Sequence, residues 1–370
     1  MPPANGYCAT LPPPPRFRVV TNPAGFAQAD LSISKPPVRC ARVLANAALF
    51  LVACAAICAL LRSLAPFPAV PGIFPKWEWF KARRDQVEVL FIGSSRFFHQ
   101  VIPPQFDAQV ARAGGASVQS FNFGYDGMWP PESYYFLRQI LTLRPARLRW
   151  VFIELKDIDT QLDERNNSTL RMAYWHDARH TRLAFADILS SRRHWPEKRA
   201  LLAAHGWLFL REAANVGRGA ELLSRRLAPA ATRKFPRSWE DHAGYEAEQE
   251  QTLRSEIEED FRARVARMKK LGPPEPVRTV FHDALREIIA DVRSAGAEPI
   301  FVIAPTVNPN ENYGGIPDGA AAWTFNNPDA FPTLYDPAHH YDEWHLNPQG
   351  AIEFTALLAA RFAEFTRKER

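Results

Sequence analysis

Residues 87–95 read VEVLFIGSS. The first six of them are apolar except for Glu88, and Gly93 and Ser94 then end the run just before Ser95. Short continuous apolar runs bounded by turn residues are typical of strands that are buried on both faces of a parallel sheet. The sequence therefore predicts a buried strand that delivers a serine hydroxyl at its carboxyl end.

Similar runs follow along the chain, and helical patterns separate them. Three of these runs are clear, at residues 117–121, 149–155 and 298–304. A weaker fifth run is FPTLYD, residues 331–336. Apolar residues recur at helical spacing in the connections at residues 103–114, 130–143 and 277–296. This alternation predicts a three-layer α/β fold with a parallel sheet, in which ligands bind at the carboxyl ends of the strands.

About 140 residues separate the third and fourth predicted strands, far more than a crossover connection needs. Much of this segment is charged and has the composition of helices. We therefore expect a helical insertion over about residues 160–272, within a domain that spans residues 65–370.

The segment from Val43 to Leu61 is apolar and uncharged, and at a rise of about 1.5 Å per residue it nearly spans a hydrocarbon core. Arg39 and Arg42 precede it, and the positive-inside rule then keeps the amino terminus in the cytoplasm. The sequence thus predicts a transmembrane anchor over residues 43–62. A cleaved signal peptide and a buried core helix are the alternatives.

We expect a disordered, proline-rich cytoplasmic tail over residues 1–42 and a periplasmic or other extracytoplasmic domain after the anchor, in a single-pass protein of the inner membrane. The tail and the anchor carry most of the net charge of +5, so the domain beyond them is nearly neutral. A nucleic-acid binder concentrates positive charge on its folded part. The charge distribution therefore argues against nucleic acid as a partner.

Ser95 needs a base if it is to act as a nucleophile, and histidine is the side chain that suits this task near neutral pH. The segment YDEWHLNPQGA, residues 341–351, contains Asp342 and His345 three residues apart. That spacing lets the carboxylate hold the Nδ1 proton of the imidazole, so that Nε2 is free to face a serine. The sequence predicts a triad of Ser95, His345 and Asp342.

Other interpretations of the histidines are open. Asp342 and His345 also fit a turn that enters a helix, with Asn347 or Asp342 as the helix cap. His176 and His180 have the spacing of four residues that occurs in zinc sites, but no glutamate follows His176 as it does in zincins. We expect no metal.

Two aromatic clusters in the insertion also have two interpretations each. The first cluster consists of Arg171, Tyr174, Trp175 and His176. It fits the lining of an acceptor groove, since aromatic faces suit sugar rings, and it equally fits the packing of an insertion helix. The second cluster consists of Trp207, Phe209 and Leu210. It fits contact with the bilayer surface, and it also fits core packing, which is the usual state of an amphipathic stretch.

In three blocks the chain resembles the SGNH, or GDSL, hydrolase superfamily, whose sheet is flavodoxin-like. The blocks are FIGSS at residues 91–95, FNFGYDG at 121–127 and DEWHLNPQG at 342–350. The resemblance implies that Ser95 is the nucleophile and that Asn122 supports the site. It also implies that the backbone N–H groups of Ser95 and Gly127 form the oxyanion hole.

The chain departs from the pattern of this superfamily at two places. Ser94 stands where the family has an aspartate, and the third strand ends in ELKDID, without the asparagine that usually supplies a third oxyanion donor. Loss of one donor commonly lowers the rate about a hundredfold or more. Both departures resemble membrane-anchored SGNH-like proteins that act on cell-wall polymers and exopolysaccharides, including the D-alanyl transfer protein of teichoic acids.

This resemblance implies an acyltransferase or esterase that modifies an envelope polysaccharide through an acyl-serine. Its expected partners are the glycan acceptor, the membrane and a membrane-bound acyl donor protein, and no cofactor is expected. Two alternatives stay open. The chain fits a catalytically weak or inactive scaffold of a polysaccharide export complex, or a lipase or thioesterase, although it has no lid or acyl-groove signature.

Overall fold

The structure is a computed structural model that describes residues 38–64, 67–114, 117–162, 169–220, 223, 238–249 and 251–368. Most of the expected tail, residues 1–42, lies outside the described residues. Its last five residues belong to a helix, so the expectation of disorder is wrong for residues 38–42. This helix begins directly after Pro36 and Pro37, the last prolines of the tail, because a helix interior does not accept proline.

This first helix is Val38–Leu64. Among the described helices it is the one long and apolar enough to cross a membrane, and the most apolar 18 residues within Cys40–Leu64 have a mean hydropathy of 2.5. Its apolar side chains are exposed, as at Leu49 (69%) and Phe50 (67%), which contradicts the buried-core alternative. The chain divides within this helix into two compact units, and the second, Cys54–Arg370, contains the α/β domain.

A five-stranded parallel sheet forms the centre of the α/β domain. Its strands have the order β2-β1-β3-β5-β7. Their bounds are Val89–Ile92 (β1), Ser120–Asn122 (β2), Trp150–Glu154 (β3), Glu298–Ile303 (β5) and Ala321–Thr324 (β7). A separate two-stranded sheet pairs β4, Glu275–Pro276, with β6, Tyr313–Gly314. The prediction of a parallel α/β sheet is confirmed, and the strand order is one that doubly wound sheets use.

The fifth strand of the sheet lies elsewhere than the sequence predicts. Residues 331–336 contain a 3₁₀ helix, Pro332–Tyr335, and the edge strand is β7. Pro332 lacks an N–H and therefore cannot complete a strand ladder. The edge strand was hard to recognise because only Trp323 of its four residues is buried, as expected of a strand paired on one side.

Ten helices beyond the first are described in the α/β domain. They are Ile73–Arg83, Ser95–Phe98, Pro103–Arg112, Glu132–Thr142, Leu170–Tyr174, Ala178–Ser190, Trp195–Ala213, Ser255–Met268, Thr279–Ser294 and Pro348–Lys368. Two more short 3₁₀ helices are Pro317–Gly319 and Pro337–His339. Four of the α-helices lie in the region expected to be a helical insertion, residues 160–272.

Neighbouring residues along each strand face opposite sides of the sheet, and helices cover both sides. Leu90 and Ile92 of β1 pack in one core with the helices Ile73–Arg83, Glu132–Thr142 and Thr279–Ser294. Val89 and Phe91 pack in the other core with the helices Pro103–Arg112, Ser255–Met268 and Pro348–Lys368. Because both faces are buried, the strands read as continuous apolar runs.

Candidate functional site

The serine turn follows β1 at the carboxyl edge of the sheet. Gly93 lies so close to β3 that a Cβ at this position would be 2.6 Å from Glu154 Cβ, so a larger residue does not fit. Ser94 caps the short helix Ser95–Phe98, since its Oγ accepts a hydrogen bond from the N–H of Arg96. Ser95 is thus the first residue of this helix, and it lies just beyond the carboxyl end of β1.

A buried ion-pair network lies beneath this turn, and sequence reasoning missed it. Arg96 is 5% exposed and pairs with Glu154 at 2.6 Å and with Glu311 at 2.5 Å. The backbone N–H of Ser94 donates to Glu154 Oε2 at 2.5 Å. Burial raises the pKa of Glu154, but the charges of Arg96 and Lys156 outweigh it, so the pKa lies below its ordinary value. A carboxylate at the end of a buried strand was the available signal.

Ser95, His345 and Asp342 form a continuous chain of hydrogen bonds. Ser95 Oγ lies 2.8 Å from His345 Nε2. On the other side of the ring, His345 Nδ1 lies 2.9 Å from Asp342 Oδ2 and 3.0 Å from Oδ1. The structure therefore brings together the three residues that the sequence predicts as a triad, although Ser95 lies 250 residues before His345 in the chain.

Asp342 has a second role in the turn that carries His345. Its Oδ1 accepts hydrogen bonds from the N–H groups of Trp344, at 2.7 Å, and His345, at 2.8 Å. Burial raises the pKa of Asp342, but the hydrogen bond and electrostatic attraction of the His345 ring, together with the two backbone bonds, outweigh this effect, so the pKa lies below its ordinary value. The cap of the last helix is Asn347, whose Oδ1 accepts from the N–H of Gly350. The turn interpretation and the triad geometry therefore hold together.

Asn122, at the end of β2, joins the serine helix to the loop that follows β2. It is fully buried, and its Nδ2 donates to the carbonyl oxygens of Phe97, at 2.6 Å, and Val101, at 2.8 Å. Its Oδ1 accepts from the N–H of Gly124 at 2.8 Å. The side chain thus holds the helix that begins at Ser95 against the chain that leads to Gly127.

Two backbone N–H groups, those of Ser95 and Gly127, bear on the expected oxyanion hole. Gly127 adopts a φ of 62°, and a Cβ added there would meet nothing within 4 Å. In the part of the chain that the structure describes, the N–H groups of Gly127 and Ser95 donate no hydrogen bond to the protein. Both are therefore available to an acceptor atom of a bound molecule.

The loop from residue 122 to 127 rests on a buried lysine that sequence reasoning also missed. Lys76 is fully buried, and its Nζ donates to the carbonyl oxygens of Asn122 (3.2 Å), Gly124 (2.5 Å) and Gly244 (2.7 Å). It also lies 3.8 Å from the ring centre of Phe98. Burial lowers the pKa of Lys76 well below its ordinary value. Three acceptors match the three N–H groups of an ammonium, which ties three segments together.

Asp126 and His99 form a further pair beside Gly127. His99 Nε2 lies 2.9 Å from Asp126 Oδ1, and Nδ1 lies 2.8 Å from the carbonyl oxygen of Glu246. Burial lowers the pKa of His99, but the hydrogen bond and the charge of Asp126 outweigh this effect and raise it. The side chain of Asp126 is thereby held against the serine helix.

A cavity of about 800 Å³ adjoins this loop. Its walls combine aromatic rings with charged groups, among them Tyr125, Asp126, Trp129, Glu132, Arg171 and Trp175. Gly127 lies in the same wall. Two residues of the expected acceptor groove, Arg171 and Trp175, therefore line a cavity, whereas Tyr174 and His176 are buried and do not.

The insertion histidines have separate partners. His176 Nε2 lies 2.8 Å from His205 Nδ1, and His180 lies between Asp177 and Arg138, at 2.7 Å from each. Burial, together with the neighbouring His205, lowers the pKa of His176 to about 3. No group of three or more metal-ligating side chains occurs among the described residues.

The expectation of core packing is wrong for two residues of the second aromatic cluster. Trp207 is 63% exposed and Leu210 is 57% exposed. Together with Phe185 and Phe209 they line an apolar groove of about 590 Å³ between two insertion helices. The sequence pattern failed here because the helix Trp195–Ala213 carries apolar residues around most of its circumference.

Comparison with known proteins leaves this geometry as the main guide to function. No protein-family model matches the chain. No curated protein is significantly similar to it.

Proposed function

We propose that this chain is an SGNH-type serine acyltransferase or esterase that modifies an envelope polysaccharide through an acyl-serine. The observation that carries this proposal is the chain of hydrogen bonds from Ser95 Oγ through His345 to Asp342. Histidine aligned by a carboxylate is the arrangement that makes a serine hydroxyl nucleophilic near neutral pH. The flavodoxin-like SGNH fold is part of the proposal, supported by the parallel sheet and its order.

In the proposed first step, His345 Nε2 takes the proton of Ser95 Oγ, which attacks the carbonyl carbon of the acyl donor. The negative charge that develops on the carbonyl oxygen is stabilised by the N–H groups of Ser95 and Gly127. His345 then gives its proton to the departing alcohol, and an acyl-serine remains. Asp342 stays ionised throughout and stabilises the imidazolium.

In the second step, a hydroxyl group of the acceptor attacks the acyl-serine while His345 takes its proton. The Ser95 ester bond breaks, Ser95 Oγ recovers the proton from His345, and the acyl group leaves on the acceptor. Water in place of the acceptor gives hydrolysis. A transferase must therefore hold the acceptor in attack geometry. The cavity beside Gly127, with aromatic and charged walls, supports a sugar as this acceptor.

One observation favours the alternative of a catalytically weak or inactive scaffold. The residues that directly follow Glu154 at the end of β3 are Leu155, Lys156 and Asp157, so this strand end offers no side-chain amide as a third oxyanion donor. The carboxylate of Glu154 itself accepts from Arg96 and from the N–H of Ser94. Binding energy from a large acceptor then has to supply what the missing donor does not. The dependence of the rate on a large acceptor therefore distinguishes a transferase, which is slow on small esters, from an ordinary esterase.

The test measures turnover of p-nitrophenyl acetate by the full chain in detergent, with and without oligosaccharides such as cellopentaose and chitopentaose. We expect slow hydrolysis alone, faster turnover with a suitable oligosaccharide, and an acetylated oligosaccharide by mass spectrometry. Fast hydrolysis without any acceptor effect would make the protein an esterase. Absence of an acyl-Ser95 under all conditions would favour the scaffold.

The proposed location is the inner membrane, with the α/β domain in the periplasm and a membrane-bound acyl donor protein as partner. The long apolar helix and the arginines that flank its start support it. A reporter that works only in the periplasm, fused after Arg370, should be active. Activity of a cytoplasm-only reporter in its place would reverse the orientation.

A further inference from the structure

Arg171, in the insertion, contacts the peptide group that presents the Gly127 N–H. Its Nη2 donates to the carbonyl oxygen of Asp126 at 2.7 Å. The same guanidinium donates to both carboxylate oxygens of Glu132, from Nε and from Nη2, each at 2.8 Å. Glu132 is only 6% exposed and begins the helix Glu132–Thr142, so Arg171 is held by a nearly buried partner on a rigid element.

The carbonyl of Asp126 and the N–H of Gly127 belong to one planar peptide unit. In a trans peptide these two groups point in opposite directions, so a donor fixed on the carbonyl oxygen also fixes the direction of the N–H. Among the described residues, Arg171 is the only donor to this carbonyl oxygen. The orientation of the Gly127 N–H therefore depends on a side chain of the insertion.

The flanks of this peptide are held by other bonds, which isolates the role of Arg171. The N–H of Tyr125 donates to Gly93 O at 3.1 Å, and the N–H of Met128 donates to Tyr125 O at 3.1 Å. The peptide between them ends in a glycine with open space around it, and glycine offers little resistance to rotation. A charged donor on the carbonyl oxygen therefore restrains its orientation directly, beside the contact of the Asp126 side chain with His99.

We propose that Arg171 is a positioning residue that holds the Asp126–Gly127 peptide with its N–H directed at the oxyanion. The inference rests on the proposed function. It deepens that function because an oxyanion hole with two donors needs both of them oriented before the reaction. Arg171 also lines the cavity beside Gly127, so the insertion that forms the acceptor wall sets the oxyanion donor as well.

The test uses the full chain and an ethyl fluorophosphonate probe, whose tetrahedral adduct on Ser95 requires the oxyanion donors. Arg171→Met alone leaves the carboxylate of Glu132 unpaired, so the double variant Arg171→Met/Glu132→Gln is measured beside it. The matched control is Arg179→Met, an insertion arginine that pairs with Glu287 and Asp291 instead. Loss of one charge-assisted hydrogen bond to the peptide predicts labelling about 10- to 100-fold slower in both Arg171 variants.

Three further results are expected if Arg171 positions the peptide. In acyl transfer kcat falls and KM changes little, Arg171→Lys recovers part of the rate, and Arg179→Met behaves as the unaltered chain. In glycine-labelled protein, the ¹⁵N amide resonance of Gly127 moves in the Arg171 variants. Labelling at the unaltered rate in folded Arg171 variants overturns the inference. If the unaltered chain is not labelled, the proposed function fails, and an unmoved Gly127 resonance then still overturns the positioning role.

Discussion

The serine side and the oxyanion side of the site are built in different ways. Ser95 follows a strand whose neighbour supplies Glu154, and His345 stands just before a helix that packs on the same sheet. Gly127, by contrast, lies in a loop that is held by Asn122 at its start and by two side chains from distant segments, Lys76 and Arg171. The serine side therefore depends on the sheet, and the oxyanion side depends on contacts with distant segments.

The two glycines of the site show the same contrast at atomic scale. Gly93 has no room for a Cβ because β3 lies against it, whereas a Cβ added at Gly127 would meet no atom within 4 Å. A close-packed position is fixed by sterics and an open one is fixed only by hydrogen bonds. We therefore expect substitutions on the serine side to abolish activity or to lower stability strongly. Substitutions on the oxyanion side should lower activity or stability only in part.

The largest effect is expected for the serine and histidine themselves. Ser95→Ala and His345→Ala should each lower kcat by about 10⁶, and the double variant should add little, since the two act as a unit. Ser94→Ala is the matched control. It removes a helix cap worth about 1 kcal/mol and should slow fluorophosphonate labelling without stopping it. Complete loss of labelling in folded Ser94→Ala would shift the nucleophile by one residue.

The next largest effect is expected for Asp342→Asn. The amide oxygen can keep the two turn hydrogen bonds, but the amide stabilises the wrong tautomer of His345, which in serine hydrolases costs about 10⁴ in kcat. Steady-state kinetics and the melting temperature measured together should show a large loss of rate with a small loss of stability. Glu343→Gln, at the adjacent residue, should leave both nearly unchanged. A rate near that of the unaltered chain would remove Asp342 from the triad.

A third prediction concerns stability on the serine side. Glu154→Gln leaves buried Arg96 with one carboxylate fewer, and breaking such a pair should lower the free energy of unfolding by about 3–5 kcal/mol. Urea unfolding measures this change. Glu298→Gln, which breaks the more exposed pair with Arg293, should cost less than about 1 kcal/mol. Equal losses in the two variants would mean that the buried network has no special part in holding the serine turn.

The same carboxylate should make stability depend on pH. The pKa of Glu154 is lowered in the folded state, so its contribution is present above the ordinary glutamate pKa of about 4.3 and is lost as the pH falls through the folded value. Between those two values, the free energy of unfolding of Glu154→Gln should fall less steeply with decreasing pH than that of the unaltered chain. Parallel curves would show that folding does not lower the pKa of Glu154.

The smallest effect is expected at Gly127. Gly127→Ala places a Cβ in open space, and the left-handed backbone there should cost only about 1–2 kcal/mol of stability. Gly93→Ala should cost more, since its Cβ would meet Glu154 and the turn would have to move. Thermal unfolding of the two variants compares the sides directly. The contrast between tight and open sides is wrong if Gly127→Ala is the more destabilising of the pair.

The predictable parts of this molecule are those that local sequence determines. Four of the five main strands were recognisable because burial on both faces gives continuous apolar runs, and the serine turn and the Asp342–His345 spacing are local patterns. The edge strand β7 could not be recognised in the same way, since an edge strand with small, partly exposed residues lacks a continuous apolar run. The 3₁₀ helix at Pro332–Tyr335 instead carried the more strand-like composition.

The supporting residues could not be predicted from local pattern. Lys76 and Arg171 act on backbone carbonyls, which have no sequence signature, and they do so across large separations in the chain. The pair of Arg96 and Glu154 was easier to predict, because a charged residue next to a buried strand end needs a partner of opposite charge. The chemistry of the site was thus visible in the sequence, whereas the means of holding it in place became visible only in three dimensions.

The most direct test of the central claim is the site of covalent modification by a fluorophosphonate. The full chain is incubated with the probe at neutral pH, digested, and the modified peptide is sequenced by mass spectrometry. We expect one adduct, on Ser95, and its loss in His345→Ala because Nε2 of that residue is the base 2.8 Å from Ser95 Oγ. An adduct on another serine, or labelling of Ser95 that persists in His345→Ala at an unchanged rate, would contradict it.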